Sequence, residues 1–387
     1  LEFEVWSLNF IILLMRVLMI SKACVVGAYQ RKLEEMAAHE DVELTVIVPP
    51  EWRDERGALK LERSYTKGYR LVVEPMALNG NFHLHFYPRL AKRFAEVQPD
   101  IAHIDEEPYN LATWHALRLA RKHSARALFF SWQNLNRRYP FPFNAIESRV
   151  LRRADYAICG NHDSEKVWRA KGYRGPIAVI PQFGVDENLY SHPLSPSPFG
   201  RGERGEGFTI AYAGRFVPEK GADILIRAVA GLDNHARLVL VGSGPRREAL
   251  IQLANDCGMG SRLSVRAWMP STEFPNFLHS IDALVLPSIT QPNWKEQFGR
   301  VLVEAMACGV PVVGSTCGEI PNVIGDAGLI VPEGNAPALA DALRQLQSSD
   351  SLRADLRAKG RERMLALFTQ KRVADETVKV YRNMMAR

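Results

Sequence analysis

Apolar residues fall into two kinds of stretch along this chain. Short, nearly continuous runs alternate with segments in which apolar side chains return every three or four positions. The first kind reads as buried strands, at 16–21, 42–48, 70–74, 101–104, 127–131, 156–159 and 177–180. The second reads as amphipathic helices, at 31–38, 88–97, 111–123, 144–153 and 164–170. Residues 51–69 are polar and carry little periodicity. Strands that alternate with helices and lack a polar face predict a parallel sheet covered on both sides.

The rhythm stops at 192–207, where Pro, Gly, Ser and charged residues dominate, and no core can be built from that composition. It then restarts. Strands are predicted at 208–213, 238–241, 283–286, 310–313 and 328–331, with another before Arg266, and helices at 247–255, 301–306 and 338–346. The predicted division is an extension at 1–14, a first α/β unit at 15–190, a linker at 191–207, a second α/β unit at 208–369 and a last helical segment at 370–387. Each unit is predicted to be doubly wound, with its ligand beyond the carboxyl ends of the strands.

Candidate chemistry collects just past the strands of the second unit. Between Pro287-Ser288 and Gly309-Val-Pro311 lies Glu296-Gln-Phe-Gly-Arg-Val-Leu-Val-Glu304, two acids around an apolar run. A helix opening near Phe298-Gly299 and stopped by Gly309 places Glu296 in a loop and Glu304 inside the helix. Were the whole stretch helical, the acids would be about 12 Å apart, which suits the two ends of one polar ligand better than a single metal ion. Unpaired amides at Phe298, Gly299 and Arg300 favour an anion between them. Hydroxyls at both ends and phosphate in the middle describe a nucleotide sugar. The bland alternative to this ligand site is a buried helix with one surface Glu and one N-terminal Glu, since short motifs recur by chance.

The stretch resembles the E-x7-E signature of family 4 glycosyltransferases of the GT-B fold, with Glu296 and Glu304 as its acids. The resemblance implies two Rossmann-like domains facing across a cleft, with the last helix crossing back to the first domain. It further implies that Glu296 holds the donor sugar, that Glu304 holds the ribose, and that transfer retains anomeric configuration. Gly214-Arg-Phe-Val-Pro-Glu-Lys-Gly221 resembles the second signature of that family. Its Arg215 and Lys220 are candidates to clamp the diphosphate and offset charge on the leaving group, beside Gly214 at the turn. Gly242-Ser-Gly244 is too short for a dinucleotide fingerprint and suits a close backbone approach to the nucleotide. Trp268 and Met269 fall where the family borders the base, although core packing explains Trp268 as well.

In the first unit the resemblance places Gly27 against donor phosphate and acceptor, a position that a helix-start glycine also fills without a ligand. Glu106 and Glu107 follow a strand at the cleft and are candidates to face an acceptor, whereas His103 reads as core. Where the family shows a histidine near the donor sugar, this chain has Ser131-Trp-Gln-Asn, so Trp132, Gln133 and Asn134 become the candidate sugar contacts.

Composition narrows the rest. At 387 residues, 47% hydrophobic and 24% charged, the chain suits two globular domains. Cys24, Cys159, Cys257, Cys308 and Cys317 are scattered and odd in number, which indicates neither a zinc site nor a disulfide framework and predicts a reducing, cytoplasmic setting. No two aspartates stand two apart, so no metal and no cofactor is expected under the diphosphate, the two cations taking that role. The net charge of +6 is uneven. Residues 118–174 hold thirteen Arg and Lys against four Asp and Glu, a basic region that suits either a solvated face or peripheral contact with an anionic membrane. Residues 10–20 are apolar but broken by Arg16, too short to span a bilayer.

The expected activity is therefore transfer from a nucleotide sugar, UDP-linked in preference to GDP-linked, to a hydroxyl on a glycan, a lipid-linked sugar or a small molecule, with no nucleic acid involved. A sugar-nucleotide epimerase of the same fold and a non-catalytic sugar-nucleotide-binding protein are the alternatives.

Overall fold

A computed structural model describes residues 14–54, 57–191, 207–270 and 272–386. The predicted extension 1–14 and linker 191–207 lie outside the described residues, apart from Leu14, Ser191 and Gly207.

The alternation is realised as two parallel sheets. The strands of the first half are β1 Met15–Ile20, β2 Val42–Val48, β3 Glu51–Asp54, β4 Gly57–Lys60, β5 Arg70–Val73, β6 Ile101–Ile104, β7 Arg126–Ser131, β8 Tyr156–Cys159 and β9 Ile177–Val179. Seven of them form a sheet in the order β5-β2-β1-β6-β7-β8-β9, and β3 pairs antiparallel with β4 as a separate hairpin. The second half contributes β10 Phe208–Ala213, β11 Ala236–Val241, β12 Leu263–Arg266, β13 Ala283–Leu286, β14 Val312–Ser315 and β15 Leu329–Val331, in the order β12-β11-β10-β13-β14-β15. All four residues of β6, β8, β13 and β14 are buried, as strands covered on both faces must be. Each sheet has an apolar core on either side.

Both strand orders reverse once among sequential neighbours. In the first sheet the reversal falls between β1 and β6, and in the second between β10 and β13. A doubly wound sheet opens a crevice at that point, where loops on either side leave in opposite directions. The loops in question begin at Ser21 and Asp105 in one half and at Gly214 and Pro287 in the other.

Three departures from the sequence reading have physical causes. The strand expected at 310–313 starts at Val312, because the Val310 amide closes the preceding helix on Ala305 O (2.9 Å) and Pro311 has no amide to give. The helix expected at 164–170 begins at His162, since the Asn161 side chain accepts the Ser164 amide at 2.7 Å. Residues 51–54 and 57–60, which carry no clear period, pair as β3 and β4, with Trp52 opposite Leu59. These strands are four residues each, too short for alternation to register.

The helix Gln370–Met385 leaves the second half and packs on the first. Its Val373, Val378, Val380, Tyr381 and Met384 join the core that holds Leu33, Met36 and Val46, and Tyr381 OH lies 2.6 Å from His103 Nδ1. The two chain crossings between halves run side by side: Val185 N–H donates to Phe368 O (2.8 Å) and Gln370 N–H to Val185 O (3.2 Å). Among the described residues no helix is long and apolar enough to cross a membrane.

Candidate active site

Past β10 the chain turns through Gly214 to Phe216, and Tyr212 OH fixes the turn by donating to Arg215 O at 2.7 Å. Lys220 ends a short 3-10 turn. The next residue, Gly221, has φ +66, and a Cβ there would collide with the Pro287 carbonyl oxygen, so only glycine lets this turn approach the end of β13. That approach brings Lys220 Nζ to Glu296 Oε2 at 2.6 Å, with Ser288 Oγ donating to the same oxygen at 3.0 Å. Glu296 is 7% exposed. Its backbone is fixed too, since its carbonyl accepts the Glu319 amide at 3.2 Å and packs under Gly318. Lys220 Nζ also sits 4.9 Å from the Trp294 ring centroid.

Three residues past Glu296, Gly299 at φ +78 caps the helix Arg300–Ala307. The first-turn amides of that helix face the cleft with the positive end of its dipole. Arg300 Nε donates to Glu304 Oε1 at 2.8 Å, and the Arg300 guanidinium lies 5.3 Å from the Tyr29 ring of the first half. Tyr190 stands beside Glu304, and burial followed by that carboxylate pushes its phenol up.

The first half supplies the facing wall. A cavity of about 380 Å³ lies between the halves, lined by Lys220, Glu296 and Phe298–Val301 on one side and by Ala23, Tyr29, Trp132, Gln182 and Phe183 on the other. Several bonds cross the cleft around it. Asn134 Nδ2 donates to Lys295 O and Glu296 O, both at 3.2 Å, and Gln297 Nε2 donates to Trp132 O at 3.1 Å. Lys295 pairs with Asp163 at 2.8 Å, and His162 Nδ1 lies 2.6 Å from Glu319 Oε1.

Beyond β6 stand three consecutive acids in different states. Burial raises Asp105, which accepts from Ser21 Oγ (2.5 Å) and Gln182 Nε2 (2.9 Å). Burial also pushes Glu106 up, but the Lys22 and His85 charges outweigh it and hold the carboxyl at about 2. Burial raises Glu107 to about 7, against the pull of hydrogen bonds from Ser131 Oγ (2.6 Å) and the Trp132 amide (2.8 Å) and the weaker pull of the Lys22 charge.

The structure thus brings Lys220, Glu296, Phe298, Gly299, Arg300 and Trp132 to one cavity. Other candidates stand around it. Arg215 is more than half exposed, its guanidinium 3.7 Å from Glu219. Gly242 has φ +146 and its missing Cβ would strike Gly214 O, so backbone packing between these two loops already requires Gly242 to be bare. Gly27 gives its amide to the Glu62 carboxylate at 2.6 Å. Trp268 is 62% exposed and stacks on Phe274, and Met269 packs on the core beneath. Gln133 accepts from Tyr139 OH at 2.5 Å, and Asn134 spends its amide on the cross-cleft bonds. Residues the sequence reading missed are Tyr29, Gln182, Ser288 and Lys22. Ser288 flanks the two-glutamate stretch without standing out in it, and the other three become visible only through contact with an element far along the chain. Among the described residues no group of three His, Cys, Asp or Glu side chains is placed to hold a metal ion.

Comparison with known proteins agrees with this geometry. Residues 197–363 match the family model described as glycosyl transferases group 1, and residues 26–188 match that of glycosyltransferase family 4. The lipopolysaccharide core biosynthesis glycosyltransferase LpsD of Rhizobium meliloti is 30% identical over 284 residues, 68% of this chain and 77% of that one. A GDP-mannose-dependent phosphatidylinositol monomannoside mannosyltransferase of Mycobacterium tuberculosis is 31% identical, over 49% of this chain and 52% of its own. Among solved structures, HepE of Anabaena in complex with UDP superposes with a TM-score of 0.71 at 19% identity, covering 95% of this chain and all of its own. A glycosyltransferase of Rickettsia africae gives 0.72 at 16% identity over 96% and 99%. With two facing parallel-sheet halves, and a homologue matched over most of its length, the chain belongs to the GT-B glycosyltransferases of family 4.

Proposed function

We propose that this glycosyltransferase moves a sugar from a nucleotide diphosphate donor to an acceptor hydroxyl with retained configuration and without a metal ion. The observation that carries the reading is the Lys220–Glu296 pair beside the amides that open the helix at Arg300, at the point where both switch-point crevices meet. A diphosphate matches the Lys220 ammonium, the exposed Arg215 guanidinium and the first-turn amides. On donor binding Lys220 trades the carboxylate for the diphosphate, and Glu296 is released to accept hydroxyls of the sugar. Glu304, eight residues on, takes the ribose.

The reaction breaks the bond from the anomeric carbon to the diphosphate oxygen and forms one to the acceptor oxygen. The acceptor proton passes to the departing diphosphate, whose growing charge Lys220 and Arg215 offset. A UDP-sugar is favoured over a GDP-sugar. The UDP complex of the similar HepE fold supports the former, and the GDP-mannose dependence of the mycobacterial relative keeps the latter as its competitor.

Product analysis with UDP- and GDP-sugars in excess chelator tests the proposal. Full activity under chelation is expected, with kcat lowered about 100-fold or more in Glu296→Ala and in Lys220→Ala. Each substitution leaves its partner charge poorly matched and costs about 1–3 kcal/mol of stability, far too little to account for such a loss in a folded enzyme. Wild-type rates in either variant contradict the assignment. Isomerisation of the donor without an acceptor points instead to an epimerase, and donor binding with no turnover to a binding protein.

A further inference from the structure

A second cavity, of about 430 Å³, adjoins the first and shares Ala23, Tyr29, Trp132 and Gln182 with it. Two features set its chemistry. Its apolar lining includes Trp52 and Leu59 from the β3–β4 hairpin, together with Phe82 and Phe130. Its polar lining includes three carboxyls in a row, Asp105, Glu106 and Glu107, against Lys22 as the cation among the lining residues.

That single ammonium is already committed. Lys22 is ion-paired with Glu106, and its Nζ lies 4.9 Å from the Phe82 ring and 5.3 Å from the Trp52 ring. The carboxyls are better supplied with lone pairs than with donors. Oε1 of Glu106 is buried without a hydrogen-bond partner among the described residues. Aromatic surface next to an unsatisfied acceptor suits a ligand with an apolar C–H face and donating hydroxyls. The same set disfavours an added dianion, since a phosphate meets the ionised Glu106 beside two further acids and finds no guanidinium and no free ammonium in the lining. The hairpin that carries Trp52 is itself fixed, for Asn79 Oδ1 accepts the Arg53 amide at 3.1 Å and Asn79 Nδ2 donates to Glu51 O at 2.8 Å.

Resting on the transferase reading above, we propose that this second cavity receives the acceptor as an uncharged saccharide ring, held between the hairpin and the three carboxyls, and that it discriminates against phosphorylated sugars and polyols. The acceptor hydroxyl then enters the donor cavity past Trp132 and Gln182, two of the side chains common to both.

The test is a specificity ratio on the full chain. With the donor that the wild type uses, kcat/KM is measured for neutral hexosides and for the same hexosides carrying a 6-phosphate. The neutral members are expected to lead by about 100-fold. Glu106→Gln is expected to narrow that ratio about tenfold, and Trp52→Ala to raise the KM for the neutral acceptor about tenfold with donor KM within about twofold. Because the ratio is taken within each variant, a partly unfolded sample cancels from it; Trp52→Phe, which keeps an aromatic face, is expected to restore acceptor KM. Phosphorylated acceptors used equally or better, or an acceptor KM unmoved by Trp52→Ala, overturn the proposal and leave the donor chemistry standing. Failure of every nucleotide sugar to be bound or cleaved contradicts the transferase reading instead.

Discussion

Glu107 shows how a single side chain carries the history of its surroundings. The two acids before it share the same loop, yet only at Glu106 do the nearby cations outweigh burial, and at Glu107 burial prevails and leaves the carboxyl at about 7. The sign of the consequence follows from linkage. A carboxyl raised in the folded state lends its full stability below the unfolded value of about 4.3 and loses it as pH rises through the folded value. Urea melts of wild type and Glu107→Gln are therefore expected to converge on the wild type's advantage at pH 4.5 and to shift in favour of the glutamine variant by pH 8, with the change complete just above pH 7. A difference between the two that stays constant from pH 4.5 to 8 contradicts the raised value. None of this was legible in the sequence, where the three acids look alike. Lys220 and Glu296, by contrast, could be picked out because each lies in a spaced motif. Lys22 and Gln182 could not, because the partners that give them a role come from 84 and 77 positions away.

At the scale of elements, the helix Arg300–Ala307 was readable at both ends because its punctuation is local. Gly299 caps it, and beyond Cys308 the Gly309 amide returns to Met306 O at 3.0 Å and Val310 to Ala305 O at 2.9 Å, a Schellman closure that needs the positive φ of Gly309. The β3–β4 hairpin escaped because its strands are four residues each, too short for alternation to register. Glycines at the two turns differ in a way that can be measured. Gly309 (φ +65) has open space where a Cβ would go, so Gly309→Ala is expected to cost about 1 kcal/mol of backbone strain. Gly221 (φ +66) faces the Pro287 carbonyl, and Gly221→Ala adds a collision with rigid backbone to the same strain. Denaturant titration is expected to show the second loss as the larger, by about 1 kcal/mol or more, together with a fall in kcat as Lys220 is displaced. Equal losses, with kcat untouched, contradict the close approach of that turn to β13.

The whole molecule is two crevices turned toward each other. The alternating pattern gave away the two parallel sheets, since strands buried on both faces leave no other packing. It did not reveal which residues would meet across the gap, because bonds such as Asn134 to Glu296 O and Lys295 to Asp163 depend on how the halves are placed by the paired crossings at Val185 and Gln370. Those cross-cleft bonds surround the same cavity that is proposed for the donor. The most direct measurement is a crystal structure with a bound UDP-sugar. The expected result has the diphosphate within hydrogen-bonding reach of Lys220 Nζ and the amides of Gly299 and Arg300, the sugar hydroxyls on Glu296 and the ribose on Glu304. A nucleotide bound elsewhere, with Lys220 still joined to Glu296 and the cavity between the halves empty, would contradict it.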